Sequence, residues 1–592
     1  MKRRIHDYRF LLFALLAFIL IHRLYYFNCF YVPDADFFDF REKAISFLNL
    51  QLPQRPQSYE RLPFYSVLMG FLSLVLPGKE PILSASELIN LISFIVSLFL
   101  VYSVSSKFLR ISSSVVVLLF SMHPLTTHMT VQPRAEMLTL MLILLGTYLS
   151  FRDNSISYLF GFLAALTRYE GVILIVSLVI KDLIFSKRKG LAILLGFLSS
   201  LGVIVWLSLN FKATGHLNPY YHYFGRELGS TTFKDRGLGT VSLQYIKSNL
   251  AVLLNFISLS GSVIKKSFAT LILLLGTSGF YFLFKKSLER TLLIFLLFIG
   301  HLLIHLVYYT PAEQHSFLIL WISYLVIMGG IEGLLEFIID KAPHNPLAIN
   351  TIKTSLSEVK TKTTFYLLVL VIITGYMLLA GFGTPYNQPY VFWVAYIMYC
   401  PITLWFITIA VNTGFWLNRL LIFVGTPVLS FIVGKDILLT QERMEKAIYI
   451  KAELRQVGEW YTQNSKGEKI VVTEPRVAGY YADLLKYSRE PYISYKMPVS
   501  GHYSDNYGNF IFLGSLNASS YESFITELRN KEITYLVWNS HHGRYPQNYY
   551  YYKKDKIFLI SGLSQGQDNV NFKLIKTIKV GSSYAFIYRF VP

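Results

Sequence analysis

The chain has 592 residues, 53% of them hydrophobic, 16% aromatic and only 15% charged. Soluble domains carry about 25% charge, so this composition excludes a chain that is soluble throughout and describes a polytopic membrane protein with a polar region attached. The net charge of +20 does not argue for a nucleic-acid partner. Its Lys and Arg sit mostly in short loops between apolar runs, where they set membrane orientation and meet anionic headgroups. The two cysteines, Cys29 and Cys400, lie in or beside apolar segments and form neither a disulfide framework nor a metal-ligand spacing. The sequence shows no internal repeat.

In chain order, the basic start MKRRIHDYR places the N-terminus in the cytoplasm, ahead of an apolar run over 9–28. No small-residue cleavage site follows that run, so it reads as a retained first span. Next comes YVPDADFFDFREKA, with Asp34, Asp36 and Asp39 at the water boundary. DFFDFREKA opens a helical pattern, on which Asp39 reads as a solvated residue. Arg61 precedes LPFYSVLMGFLSLVLPG (62–78), apolar but short and bounded by prolines, which reads as lying in the interface. Further spans are expected at 87–106, 113–130, 135–151, 190–209, 267–284, 290–309, 316–338, 364–382, 391–411 and 420–434. The stretch 156–185 is too long for one span and is interrupted by TRYEG, so it reads as two short spans around a turn. With the first run this makes about 13 crossings, each needing roughly 20 apolar residues. That count puts Lys107, Arg110, Arg152, 181–189, 285–290 and Lys341 to Lys362 in the cytoplasm, as the positive-inside rule requires.

After about residue 436 the pattern changes. A helical segment leads to GEKIVVTEP, a strand, then to the short helix VAGYYADLL, the strand ITYLVWN, and a hairpin in NFKLIKTIKVGSSYAFIYRF. This is a small α/β domain on the non-cytoplasmic side. Its run NYYYYKK suits contact with sugar or membrane surface, or ordinary strand packing, and Asn517 to Ser519 match a glycosylation sequon.

The unusual polar residues fall on one expected face: Asp34 and Asp36, Arg61, Arg134 and Glu136, Arg168 and Glu170, and His315 in PAEQHS. Ionisable groups at a membrane are costly and commonly functional. Carboxylates there can act as general base, or bind a divalent metal or sugar hydroxyls, and arginines can hold a phosphate with two prongs. Together they suit a substrate with a hydroxyl and a phosphate delivered from the lipid phase. The plainer readings are a solvated or N-capping Asp34 or Asp36, snorkelling arginines, and Glu136 and Glu170 serving to orient those arginines. His123 and His128 are five apart, which is not a helical metal spacing.

The order of these elements resembles the GT-C superfamily of membrane glycosyltransferases, and within it the protein O-mannosyltransferase and aminoarabinose-transferase type. The acidic motif after the first span is Pro33-Asp34-Ala35-Asp36-Phe37-Phe38, and the proline-led apolar segment is Arg61-Leu62-Pro63-Phe64-Tyr65. The later elements are Arg134-Ala135-Glu136, Leu166-Thr167-Arg168-Tyr169-Glu170-Gly171, Gly458-Glu459-Trp460-Tyr461, and Val471 to Tyr481. The chain departs from the type in lacking an Asp-Glu pair in the acidic motif, and in having Glu313-Gln314-His315 where the family often has Arg-Tyr.

The resemblance implies an α-helical polytopic membrane protein of about 13 transmembrane helices with a C-terminal α/β soluble domain. Residues 1–435 would form the catalytic membrane domain, with its first external loop at 29–86, and residues 436–592 the extracytoplasmic domain. It also implies a cell-envelope hexosyl or pentosyl transferase that draws a sugar from a polyprenyl-phosphate donor. The acceptor would be a hydroxyl of a lipid-linked glycan, a surface polymer or a protein. Asp34 or Asp36 would be the catalytic carboxylate, and Arg61, Arg134, Glu136, Arg168, Glu170 and His315 would meet substrate. No cofactor is demanded, although the carboxylates would accept a divalent metal. The partners are the lipid-linked donor, the acceptor and membrane lipids, not nucleic acid. The alternatives are a transporter or flippase of lipid-linked substrates, or an inactive scaffold.

Overall fold

The structure, a computed structural model, describes residues 32–33, 35–53, 58–59, 61–77, 80–109, 113–215, 264–307, 317–341, 449, 451–486, 506–516, 521–539, 563, 566–568, 570–581 and 583–592, together with Leu20, Ile21, Arg23 and Leu24. Asp34, His315, the sequon, the tyrosine run, and the expected spans 364–382, 391–411 and 420–434 lie outside the described residues.

The helix expected from DFFDFREKA is α1, Ala35–Leu48. Phe37, Phe40, Ala44 and Ile45 recur at helical spacing and are buried, and Asp36 in the first turn complements the helix dipole. Leu50, at φ 54°, turns the chain out of the helix, with the Gln51 N–H donating to the Ser46 carbonyl and the Leu50 N–H to that of Phe47. The proline-bounded segment forms the ten-residue helix α2, Phe64–Ser73. At about 1.5 Å per residue it is too short to cross a bilayer. Helix α3, Pro81–Ser105, carries proline in its first turn, where the missing N–H costs nothing.

The span expected at 113–130 is not one straight helix. It divides into α4, Ser113–Met122, and α5, Pro124–Val131, bent by 63°. Pro124 has no N–H to give and its ring clashes with the preceding turn. The buried Arg23 guanidinium bridges the break, donating to the Ser121 carbonyl on one side and the Thr127 hydroxyl on the other, and it lies over the Phe94 ring at 4.9 Å.

Helices α6, Glu136–Ser150, α7, Ser157–Thr167, and α8, Val172–Phe185, run up and down beside one another. The TRYEG turn sits where the sequence placed it, with Tyr169–Gly171 as a single tight turn between α7 and α8. Gly171 is needed there, because a Cβ would come within 2.2 Å of the Ala164 backbone. These three helices have 15, 11 and 14 residues, fewer than the roughly 20 that one crossing takes. The helical region continues with α9, Lys189–Thr214, α10, Ile264–Lys286, α11, Leu288–Val307, and α12, Phe317–Lys341. Among the described residues, α3, α9 and the 317–334 part of α12 are long and apolar enough to cross a membrane alone. The bent α4–α5 pair makes a fourth if it is one span. The described residues therefore carry fewer full-length spans than the 13 expected, although helices occupy each described part of those segments.

The C-terminal region is α/β. Helix α13, Ala452–Asn464, is followed by β1, Lys469–Val472, α14, Pro475–Lys486, and β2, Phe510–Phe512. Then come α15, Tyr521–Asn530, β3, Ile533–Asn539, β4, Phe572–Val580, and β5, Ser583–Phe590. The strands form one mixed sheet in the order β2-β1-β3-β5-β4. The first three are parallel, and β5 runs antiparallel to both β3 and β4. The expected hairpin is β4–β5, and β2 and α15 were not anticipated. Side chains alternate between the two faces. Ile470, Val472, Val537 and Ile587 pack with α13 and α14, while Val471, Leu536, Phe572 and Tyr588 pack with Phe524, Ile525 and Leu528 of α15. Helices α13 and α14 touch at Gly458, where a Cβ would lie 2.0 Å from the Ala478 carbonyl oxygen. The core on the α13–α14 face is continuous with that around α1 and the membrane-type helices.

Candidate active site

Two ionic groups lie near one another, joined by the apolar cluster that holds Leu62 and Tyr169. The first is built on α1. Arg61 grips Asp36 with two prongs, Nη1 donating to Oδ2 at 2.9 Å and Nη2 to Oδ1 at 2.5 Å. The Arg61 Nε faces Asp39 Oδ2 at 3.6 Å, and its guanidinium lies over the Phe40 ring at 5.4 Å. The Lys43 Nζ donates to the Arg61 carbonyl at 3.0 Å, and Ser58 Oγ to Glu42 Oε1 at 3.1 Å.

Asp39 is not the solvated residue expected from the sequence. Its side chain is 26% exposed, and it is held from the other side by Arg476 of α14, whose Nη1 donates to Asp39 Oδ1 at 3.3 Å. Arg476 is fully buried and also faces Glu42 Oε2 at 3.5 Å. The same contact surface joins Phe38 to Tyr480, edge to face at 5.2 Å, and places the Arg41 guanidinium 5.4 Å from the Tyr480 ring. Burial, and next the Glu80 carboxylate, push the Tyr480 hydroxyl well above its ordinary 10.0, so it stays neutral.

The second group lies around Glu136, in the first turn of α6. Glu136 Oε1 meets Arg168 Nη1 at 2.8 Å and Arg134 Nη1 at 4.0 Å. Arg168 also donates from Nη2 to Glu170 Oε1 at 2.8 Å and from Nε to Glu170 Oε2 at 3.2 Å. The turn that Gly171 permits is what folds Glu170 back onto Arg168. Side-chain exposure is 3% at Glu136 and 12 to 14% at the other three, so these are not snorkelling arginines in open water. The carboxylates hold the arginines.

Tyr65 of α2 stands between the groups. Its ring packs on Phe40 at 4.9 Å, its hydroxyl approaches Ser86 and Asn90 at 3.4 Å, and the Asn90 amide donates to the Gln132 carbonyl just before Arg134. Trp206, near the end of α9, donates to the Tyr59 carbonyl at 3.0 Å and closes the same region.

The opposite end of the short helices carries a different cluster. Lys181 of α8, 4% exposed, meets Asp182 at 3.0 Å, Glu289 at 3.2 Å and the Ser150 hydroxyl at 3.0 Å. Tyr158 of α7 donates to Asp182 at 3.1 Å. Glu136 and Ser150 are the two ends of α6. Glu136 and the basic loop that begins near Lys181 are therefore a helix length apart.

The structure thus brings together Asp36 with Arg61, and Arg134, Glu136, Arg168 and Glu170 with one another. Among the described residues no group of three His, Cys, Asp or Glu could hold a metal ion. The sequence reading missed Arg476, Glu42 and the full role of Asp39. A signal was present, since Asp36, Asp39 and Glu42 recur every three residues along one helix flank.

No protein-family model matches the sequence, and no curated protein does. Among solved structures, the chain is similar to ArnT from Cupriavidus metallidurans bound to undecaprenyl phosphate, with a TM-score of 0.48, 11% identity and 97% of each chain covered. It is also similar to the Archaeoglobus fulgidus oligosaccharyltransferase in its apo form, with a TM-score of 0.46, 10% identity, and 93% of this chain and 72% of that one covered.

Proposed function

We propose that the chain is a membrane glycosyltransferase that moves a sugar from a polyprenyl-phosphate donor to a hydroxyl of a lipid-linked glycan, a surface polymer or a protein. Residues 1–435 form its membrane catalytic domain, and 436–592 its soluble domain on the non-cytoplasmic face. The observation that carries this reading is the pairing of the candidate acid with a guanidinium beside a second, arginine-containing group, at one end of apolar helices. A hydroxyl and a phosphate, brought together at a lipid boundary, meet there the two kinds of group that their reaction needs.

In this reading Asp36, or Asp34 two residues earlier, orients the acceptor hydroxyl and takes its proton. The acceptor oxygen bonds to the anomeric carbon from the face opposite the lipid phosphate. The bond from carbon to phosphate oxygen breaks with its electron pair left on the phosphate, so one displacement inverts the centre. Negative charge grows on the departing phosphate, and Arg168, with Arg134, stabilises it. Glu136 and Glu170 fix the guanidinium plane beforehand, which spares reorganisation during the reaction.

The test is to incubate the purified chain in detergent with labelled polyprenyl-phosphate sugars and a panel of hydroxyl acceptors, and to follow transfer. Sugar on an acceptor, lost in Asp36→Asn, supports the reading. Transport without transfer after reconstitution into vesicles overturns it in favour of a flippase.

A further inference from the structure

We infer that Arg476 is a positioning residue for the candidate acid, holding the Asp36–Arg61 pair in place through Asp39. The inference rests on the function proposed above and assigns the C-terminal domain a part in that same site.

The local sequence gives Arg476 no reason to be where it is. It occupies the first turn of α14, where a helix dipole disfavours a cation, and it is fully buried, where an arginine is retained only with partners. Those partners come from across the domain contact. Asp39 divides its carboxylate between two arginines, Oδ1 to Arg476 at 3.3 Å and Oδ2 to the Arg61 Nε at 3.6 Å. Arg61 then gives both terminal nitrogens to Asp36. A guanidinium is a rigid plane, so fixing the Nε edge fixes the direction of the other two nitrogens. Rotation of Asp39 is passed to Arg61 and on to Asp36. Glu42 Oε2, 3.5 Å from Arg476, keeps that guanidinium from turning away. Docking of α14 on α1 has separate supports in the contacts of Tyr480 with Phe38 and Arg41. Positioning and docking can therefore be separated by experiment.

The experiment uses the full chain with Arg476→Met, Arg476→Lys, Asp36→Asn and the Arg476→Met/Asp36→Asn pair. Transfer of a labelled polyprenyl-phosphate sugar and amide hydrogen exchange are both measured. Arg476→Met is expected to lower kcat by roughly 10- to 100-fold, the scale set by a misplacement of about 1 Å, with the donor KM moving less than about threefold. Arg476→Lys restores little of this, because a single ammonium cannot reproduce the two-pronged grip. Arg476→Met added to Asp36→Asn costs less than about threefold more, as expected for a residue that acts through Asp36. Exchange rises roughly tenfold at amides 38–43 and is unchanged at 477–486. Losses that multiply in the double variant overturn the inference, as does faster exchange at 477–486 alongside the loss of turnover, which would mean undocking. Should wild-type chain transfer no sugar, the functional reading fails. The exchange data then decide the coupling alone: unchanged exchange at 38–43 in Arg476→Met overturns it, and a rise confined there supports it.

Discussion

At the scale of single residues, the site is a set of charges that mostly answer one another. Asp36→Asn keeps shape, removes charge and releases one side of the Arg61 fork. Transfer is expected to fall about 100-fold, the size of a lost positioned base. Asp39→Asn should also fall, because Asp39 bridges two arginines; activity as in wild type would show that the bridge does not matter. Glu136→Leu leaves Arg168 buried with one carboxylate gone. Removing one partner of a buried pair costs about 3–5 kcal/mol, so the variant should unfold at lower temperature in a detergent melt. An unchanged melt would assign the cluster to solvent. Sequence alone identified Asp36, Arg61, Arg134, Glu136, Arg168 and Glu170 as residues to watch, since charge next to an apolar run is conspicuous. It did not assign Asp39 to a partner, because Arg476 lies 437 positions away and no local pattern connects them.

At the scale of elements, hydrophobic periodicity made α1, α3, α9, β1, α14, β3 and the β4–β5 hairpin legible. It did not show the break between α4 and α5. There the composition is that of one span, and the bend depends on Pro124 together with Arg23 arriving from another helix to satisfy the Ser121 carbonyl. β2 was missed because its three residues are too few to show alternation. Helix α14 also carries a pH-dependent element. Burial raises the Asp483 carboxyl above its ordinary 3.8, against the Tyr507 hydroxyl that donates to it at 2.7 Å. A raised acid binds its proton more tightly when folded. Its contribution is thus fully present below 3.8 and is lost as pH rises through the folded value. Asp483→Asn should remove that part of the decline, so the stabilities of variant and wild type converge at low pH and separate above it. Parallel curves from pH 3 to 7 would reject the assignment.

At the scale of the whole molecule, the proposed function puts the C-terminal sheet domain and the candidate acids on one side of the membrane, with the Lys181 cluster on the other. Single cysteines at Glu532, 83% exposed, and at Lys187, in the basic loop after α8, report on this in a chain with Cys29 and Cys400 replaced by serine. An impermeant thiol reagent applied from the non-cytoplasmic side should label the first and spare the second. Labelling of both, or of Lys187→Cys alone, would dismantle the two-ended arrangement.

The contact between Arg476 and Asp39 also has a consequence in time. A ribosome making about 5–20 residues per second finishes α1 roughly 20 to 90 s before Arg476 exists, the two being 437 residues apart. Through that interval the acidic flank of α1 waits without the arginine that completes it. A nascent or truncated chain can thus be inserted in the membrane and still lack an assembled centre. Closure of that contact marks the moment at which translation has passed the point of use.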